Sequence, residues 1–113
     1  VPWSFSPSWI AANTAILEDA KQRYPLLDFP AVIALCEAFF EVNYTARLHE
    51  IQVPTCIIVG EVDLLKGVAY ARILQREIAH AELHIIDGAG HASCWERSEE
   101  FNSIVLGFLA KQT

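Results

Sequence analysis

Methionine is absent from the 113 residues, and lysine and arginine together number only eight against fourteen acidic residues. With no methionine and a start at Val-Pro-Trp, the expectation is that this sequence does not begin at its own initiator. A formal charge of −6 and scattered basic residues exclude nucleic acid as a partner, because phosphate binding requires clustered Lys and Arg. Long apolar runs are missing too. Cys56-Ile57-Ile58-Val59 is typical and far below the roughly 20 residues of a membrane span. No basic segment precedes an apolar stretch at the start, so no signal peptide and no membrane are expected. Cysteine is limited to Cys36, Cys56 and Cys94, an odd number without a C-x-x-C spacing. That argues against a disulfide framework and a zinc site, and predicts reduced thiols, with Cys36 and Cys56 packed, in a cytoplasmic protein with no metal and no cofactor.

What is present is a 53% apolar chain, enough for one small domain. Trp9, Ala12, Ile16, Leu17 and Ala20 fall on one face of a predicted first helix, limited by Pro25. A second helix is predicted from Pro30, with Val32, Leu35, Cys36, Phe39 and Phe40 on one side and Ile33, Ala34 and Val42 on the other. A helix apolar on most sides must be covered on most sides, and the chain is short of mass to do so. Thr55 to Val59 is a β-rich run without polar alternation, the pattern of a strand buried on both faces. A helix over about 67–79 follows. Then comes a strand from Glu82 to Ile86, in which Leu83 and Ile85 alternate with Glu82 and His84, as in an edge strand with one solvated side. The last predicted helix runs from Arg97 to Lys111, with Phe101, Ile104, Val105, Phe108 and Leu109 as its stripe. Strand, helix, strand is a βαβ unit with parallel strands, so the fold class is α/β. The apolar Thr55–Val59 strand calls for a neighbour on its other edge.

In open α/β sheets, function gathers outside the C-terminal ends of the strands. Asp63 follows the first strand and His91 the second, 28 residues apart in sequence but at the same sheet edge. An Asp that holds a His is the orienting half of a nucleophile–base–acid triad, and Gly88 and Gly90 permit the tight backbone that presents the imidazole. Ser93 and Cys94 lie too near His91 along the loop to act as its nucleophile. His80 and His84 straddle a helix end and a strand, which predicts a solvated pair and not a metal site. Trp3, Phe5 and Trp9 either line a substrate pocket or anchor the first helix, and the residues leave both readings open. Trp3 and Phe5, with Leu64 beside Asp63 and Ala92 beside His91, are the candidate substrate-contacting residues.

"LHEIQVPTCIIVGEVD" resembles the strand leading to the acid residue in the α/β-hydrolase superfamily, and "AELHIIDGAGHASCWERSEEFNSIVLGFL" resembles its histidine loop and last helix. The resemblance covers about residues 48 to 109 and is nearest to the esterase, lactonase and haloperoxidase-like hydrolases. It implies that Asp63 is the triad acid and His91 the base, with residues 1–47 similar to a helical cap and 48–113 to the C-terminal core. Leu64-Leu65-Lys66-Gly67 and Ser98 stand where the family usually carries prolines. The G-x-S-x-G nucleophile elbow, which precedes acid and histidine in these enzymes, does not occur. The expectation is therefore a C-terminal half carrying two thirds of a triad, inactive alone. Its partner is either the missing N-terminal half or a second copy through self-association, and the complete enzyme is expected to act on a small-molecule ester, lactone or related carbonyl compound.

Overall fold

Two five-residue strands form the centre of the computed structural model, which describes residues 3–112; residues 1, 2 and 113, the outer ends of the expected segments 1–47 and 48–113, lie outside the described residues. Strand β1 (Cys56–Gly60) pairs in parallel with β2 (Glu82–Ile86), in a register that sets Cys56 beside Glu82 and Gly60 beside Ile86. β2 has the predicted bounds, and β1 is displaced by one residue to include Gly60. Helix α4 (Val68–Glu77) makes the crossover and buries Ala71 against Ile57 and Val59, with Val68, Leu74 and Leu83 packed around them. These branched side chains share one face because residues two apart on a strand point the same way. Helix α6 (Ser98–Ala110) leans on both strands, and its Phe101, Ile104, Val105 and Phe108 are half-buried. Leu109, expected in that stripe, is exposed.

The alternation in β2 is not the one expected. Ile85 is exposed, whereas Glu82 and His84 are half-buried, because Lys111 at the end of α6 folds over that side and bonds Glu82 at 2.6 and 2.9 Å. His84 is accordingly only partly solvated: its Nε2 is buried, lies 3.9 Å from Glu82 Oε1 and has no hydrogen-bond partner among the described residues. His80 is exposed at the turn after α4, with a positive φ of 61°.

The predicted first helix is broken in two. Helix α1 (Pro7–Ala12) is capped by Ser6, whose Oγ accepts from Trp9 N–H at 3.3 Å, and has Pro7 in its first turn. Asn13 then leaves helical geometry, with φ −128°, and its side-chain amide donates to the Trp9 carbonyl at 2.9 Å. Such local bonding competes with the helix ladder, and the chain restarts as α2 (Thr14–Arg23). Helix α3 (Phe29–Glu41) starts where Asp28 accepts from Ala31 N–H at 3.1 Å. None of its residues is buried, and Phe40 is 88% exposed, so the helix that asked for cover on most sides lacks it among the described residues. Cys36, expected to pack, is exposed on this helix for the same reason; Cys56 is half-buried on β1. No helix among the described residues is long and apolar enough to cross a membrane.

Candidate active site

Gly60 closes the sheet at the end where the site lies. A Cβ there would come within 2.7 Å of the Ala89 carbonyl carbon and closer still to the carbonyl oxygens of Ala89 and Gly90. Only a glycine lets the loop after β1 and the loop after β2 touch backbone to backbone. The contact is fastened by Glu61 N–H to the Ile86 carbonyl at 2.9 Å and Val62 N–H to the Ala89 carbonyl at 3.0 Å. Gly88 turns with φ +62°, and its N–H donates to the Glu61 carboxylate at 2.9 Å.

This stitching brings Asp63 and His91 together. Asp63 Oδ1 accepts from the N–H groups of Leu65 at 2.8 Å and Lys66 at 2.9 Å, which fixes the carboxylate to its own loop. Oδ2 is thereby aimed at His91 Nδ1, 2.9 Å away. The Asp63 side chain is only 5% exposed, against 42% for His91. Burial pushes the Asp63 carboxyl up, but the Lys66 N–H, the His91 ring and the Leu65 N–H together outweigh it and hold the group below the usual aspartate range. The imidazole is thus gripped at Nδ1, and Nε2 has no hydrogen-bond partner among the described residues. A grip at one ring nitrogen sets the tautomer and makes the other nitrogen the working atom.

His91 borders an open, mainly apolar cleft of about 770 Å³ between the core and α3, walled by Cys36, Phe39, Phe40, Val42, Leu65 and Lys66. None of these is among the site residues expected from the sequence. Their signal was α3 itself, apolar on faces that its own chain does not cover. Of the residues proposed for substrate contact, Leu64 and Trp3 are exposed and Phe5 stacks on Trp9 at 4.2 Å. Ala92 is half-buried and donates its N–H to the Ser4 carbonyl at 2.7 Å. None of the four lines the cleft beside His91. Ser93 shares a smaller cavity of about 270 Å³ with Asp63 and His91, but no hydrogen bond joins it to the imidazole among the described residues. It begins α5 (Ser93–Glu96), a single turn not expected from the sequence.

At the opposite ends of the strands, Cys56, Glu82 and His84 bring one potential metal ligand each within 4.8 Å of one another. Lys111 already holds both Glu82 oxygens there. Burial, then the Glu82 charge, raises the Cys56 thiol above its usual range, so the thiolate that a metal needs is disfavoured.

No family model matches the chain. RutD of Stutzerimonas stutzeri, named as a carbamate hydrolase, is 34% identical over 113 residues, 96% of this chain and 42% of that protein. A 2-hydroxy-6-oxononadienedioate/2-hydroxy-6-oxononatrienedioate hydrolase of Klebsiella pneumoniae is 39% identical over 69 residues, 61% of this chain and 24% of its own. Among solved structures, an α/β-hydrolase enzyme from a Medee basin deep-sea metagenome library superimposes with a TM-score of 0.87 at 30% identity. The enol-lactonase of Burkholderia xenovorans does so with 0.87 at 27%. Each of these structures matches 96% of this chain and 42% of its own. The chain spans about two fifths of the length of the relatives it matches end to end. With a parallel strand pair, crossover helix and closing helix in common with such enzymes, the chain belongs to the α/β-hydrolase superfamily and has the fold of its C-terminal part.

Proposed function

We propose that this chain supplies the acid and base of a serine-type α/β hydrolase that acts on an ester, lactone or related carbonyl compound. The observation that carries the reading is the 2.9 Å contact between Asp63 Oδ2 and His91 Nδ1 beside an apolar cleft. His91 Nε2 takes the proton of the nucleophile as it attacks the carbonyl, then returns a proton to the leaving group. Asp63 keeps the imidazole in the required tautomer and stabilises the imidazolium between those steps. The apolar wall from Cys36 to Val42 suits the hydrophobic part of the substrate. The names of the enol-lactonase and of the RutD relative agree with acyl chemistry at this kind of centre.

Nucleophile and oxyanion donors come, in this reading, from the part of the fold that the relatives have and residues 3–112 do not contain. The outer edge of β1, unpaired among the described residues, is the place for the next strand. Residues 1–47 form the cap-like segment and 48–113 the core segment. A cytosolic setting accords with three free thiols.

The purified 113-residue chain should not hydrolyse p-nitrophenyl esters, and adding a polypeptide that carries the rest of the fold should create activity that His91→Ala abolishes. Ester hydrolysis by the chain alone, lost in His91→Ala, would sink the two-part reading. A second reading, a non-catalytic module that covers α3 and the β1 edge by pairing with another copy, draws on the exposure of Phe39 and Phe40. Light scattering separates the two, since a well-folded monomer at micromolar concentration removes self-association.

A further inference from the structure

We propose that Glu96 is a positioning residue that fixes the backbone of His91 by clasping Ser6 and Gly90 with one buried carboxyl group. This rests on the reading of His91 as the base. Glu96 ends α5 and is 8% exposed, an unusual place for a carboxyl group unless its oxygens are bonded. Oε1 accepts from Ser6 N–H at 2.9 Å and from Gly90 N–H at 3.0 Å, while the Ser6 hydroxyl donates to Oε2. Ser6 is itself 1% exposed.

Gly90 is the residue before His91, and the residue after it, Ala92, donates to the Ser4 carbonyl at 2.7 Å. Both chain neighbours of the base are therefore tied to the segment from Ser4 to Ser6. The fit is close, for a Cβ on Gly90 would lie 2.7 Å from Phe5 C and Ser6 N and 2.8 Å from Glu96 Oε1. Asp63 orients the ring, whereas Glu96 and the Ser4 carbonyl hold the main chain that carries it. A displacement of about 1 Å in that main chain takes the 2.9 Å Asp63 contact out of hydrogen-bonding range. Ser6 also caps α1, so the clasp joins the backbone beside the base to the start of that helix.

The test is nitrogen-15 NMR of the chain, reading the His91 ring shifts in alkaline solution together with amide exchange at Gly90. The wild type is expected to hold His91 as the Nδ1–H tautomer. Glu96→Ala should shift the ring towards Nε2–H and speed Gly90 exchange roughly tenfold, the equivalent of one hydrogen bond. Glu96→Gln retains an acceptor oxygen for both N–H groups and should restore the wild-type tautomer. A merely structural brace would lower Tm without changing the tautomer of the folded molecules. If the wild type lacks the Nδ1–H tautomer, the pairing of His91 with Asp63 is wrong and the inference falls with it. If the wild type has it and a folded Glu96→Ala keeps both tautomer and exchange rate, the clasp alone is refuted. Should Glu96→Ala not fold, Glu96→Asp takes its place, because the shorter side chain withdraws the carboxylate from both N–H groups, and an unchanged tautomer and exchange rate there refute the clasp equally.

Discussion

Replacing Gly60 with alanine puts a single methyl group into the seam that aligns the site. The added Cβ would sit 2.7 Å from the Ala89 carbonyl carbon, against an ordinary carbon–carbon separation of about 3.5 Å or more. The atoms in its way are backbone and cannot rotate aside, so the loops after β1 and β2 must part by about 1 Å. A separation of that size stretches the 3.0 Å bond from Val62 N–H to the Ala89 carbonyl beyond useful length and draws Asp63 away from His91. Overpacking of this kind costs about 1–3 kcal/mol, or roughly 5–15 °C in Tm for a domain of this size. Gly107 in α6 is the internal control, because a Cβ there meets nothing within 4 Å. Gly107→Ala should raise stability by up to about 1 kcal/mol through helix propensity. Urea unfolding followed by tryptophan fluorescence checks both. A Gly60→Ala chain within about 0.5 kcal/mol of wild type, an ordinary surface effect, would refute the claim that this seam has no room.

Two further outcomes follow from the ionisable groups. Because the Asp63 carboxyl is held below its unfolded value, folding favours its ionised form; that stabilisation is complete above the ordinary aspartate range and is lost as pH falls below about 4 and through the folded pKa. Asp63→Asn should remove that part of the acid limb of the urea midpoint, and an unaltered limb would contradict it. With a disulfide-type thiol reagent, the exposed Cys36 and Cys94 should react quickly and Cys56 slowly, since burial first and then the Glu82 charge hold its thiol above the usual range. Three equal rates would count against the packing of β1 under α6.

What was legible in the sequence was local. Glu82–Ile86 is bounded by a helix-ending turn and by Asp87-Gly88, so its limits are those observed. The meeting of Asp63 and His91 is legible because each follows a strand, and parallel strands end at one edge. The break at Asn13 was hidden because the apolar period of the first helix continues through it; the interruption comes from the bond between the Asn13 side chain and the Trp9 carbonyl. Likewise, the two-faced apolar pattern of α3 announced an uncovered helix without saying that one side borders His91. Glu96 was beyond reach, since nothing near it in sequence distinguishes it from Glu99 or Glu100, and its partner Ser6 is 90 residues away.

That distance has a consequence for the order in which the molecule assembles. Pairing β1 with β2 closes a loop of about 26 residues, whereas bringing Ser6 to Glu96 closes one of 90. Each doubling of a flexible loop adds roughly 0.6 kcal/mol of closure entropy, so the longer closure costs about 1 kcal/mol more. Closure entropy therefore favours forming the sheet and the Asp63 loop before the start of the chain returns to fix the backbone on either side of His91.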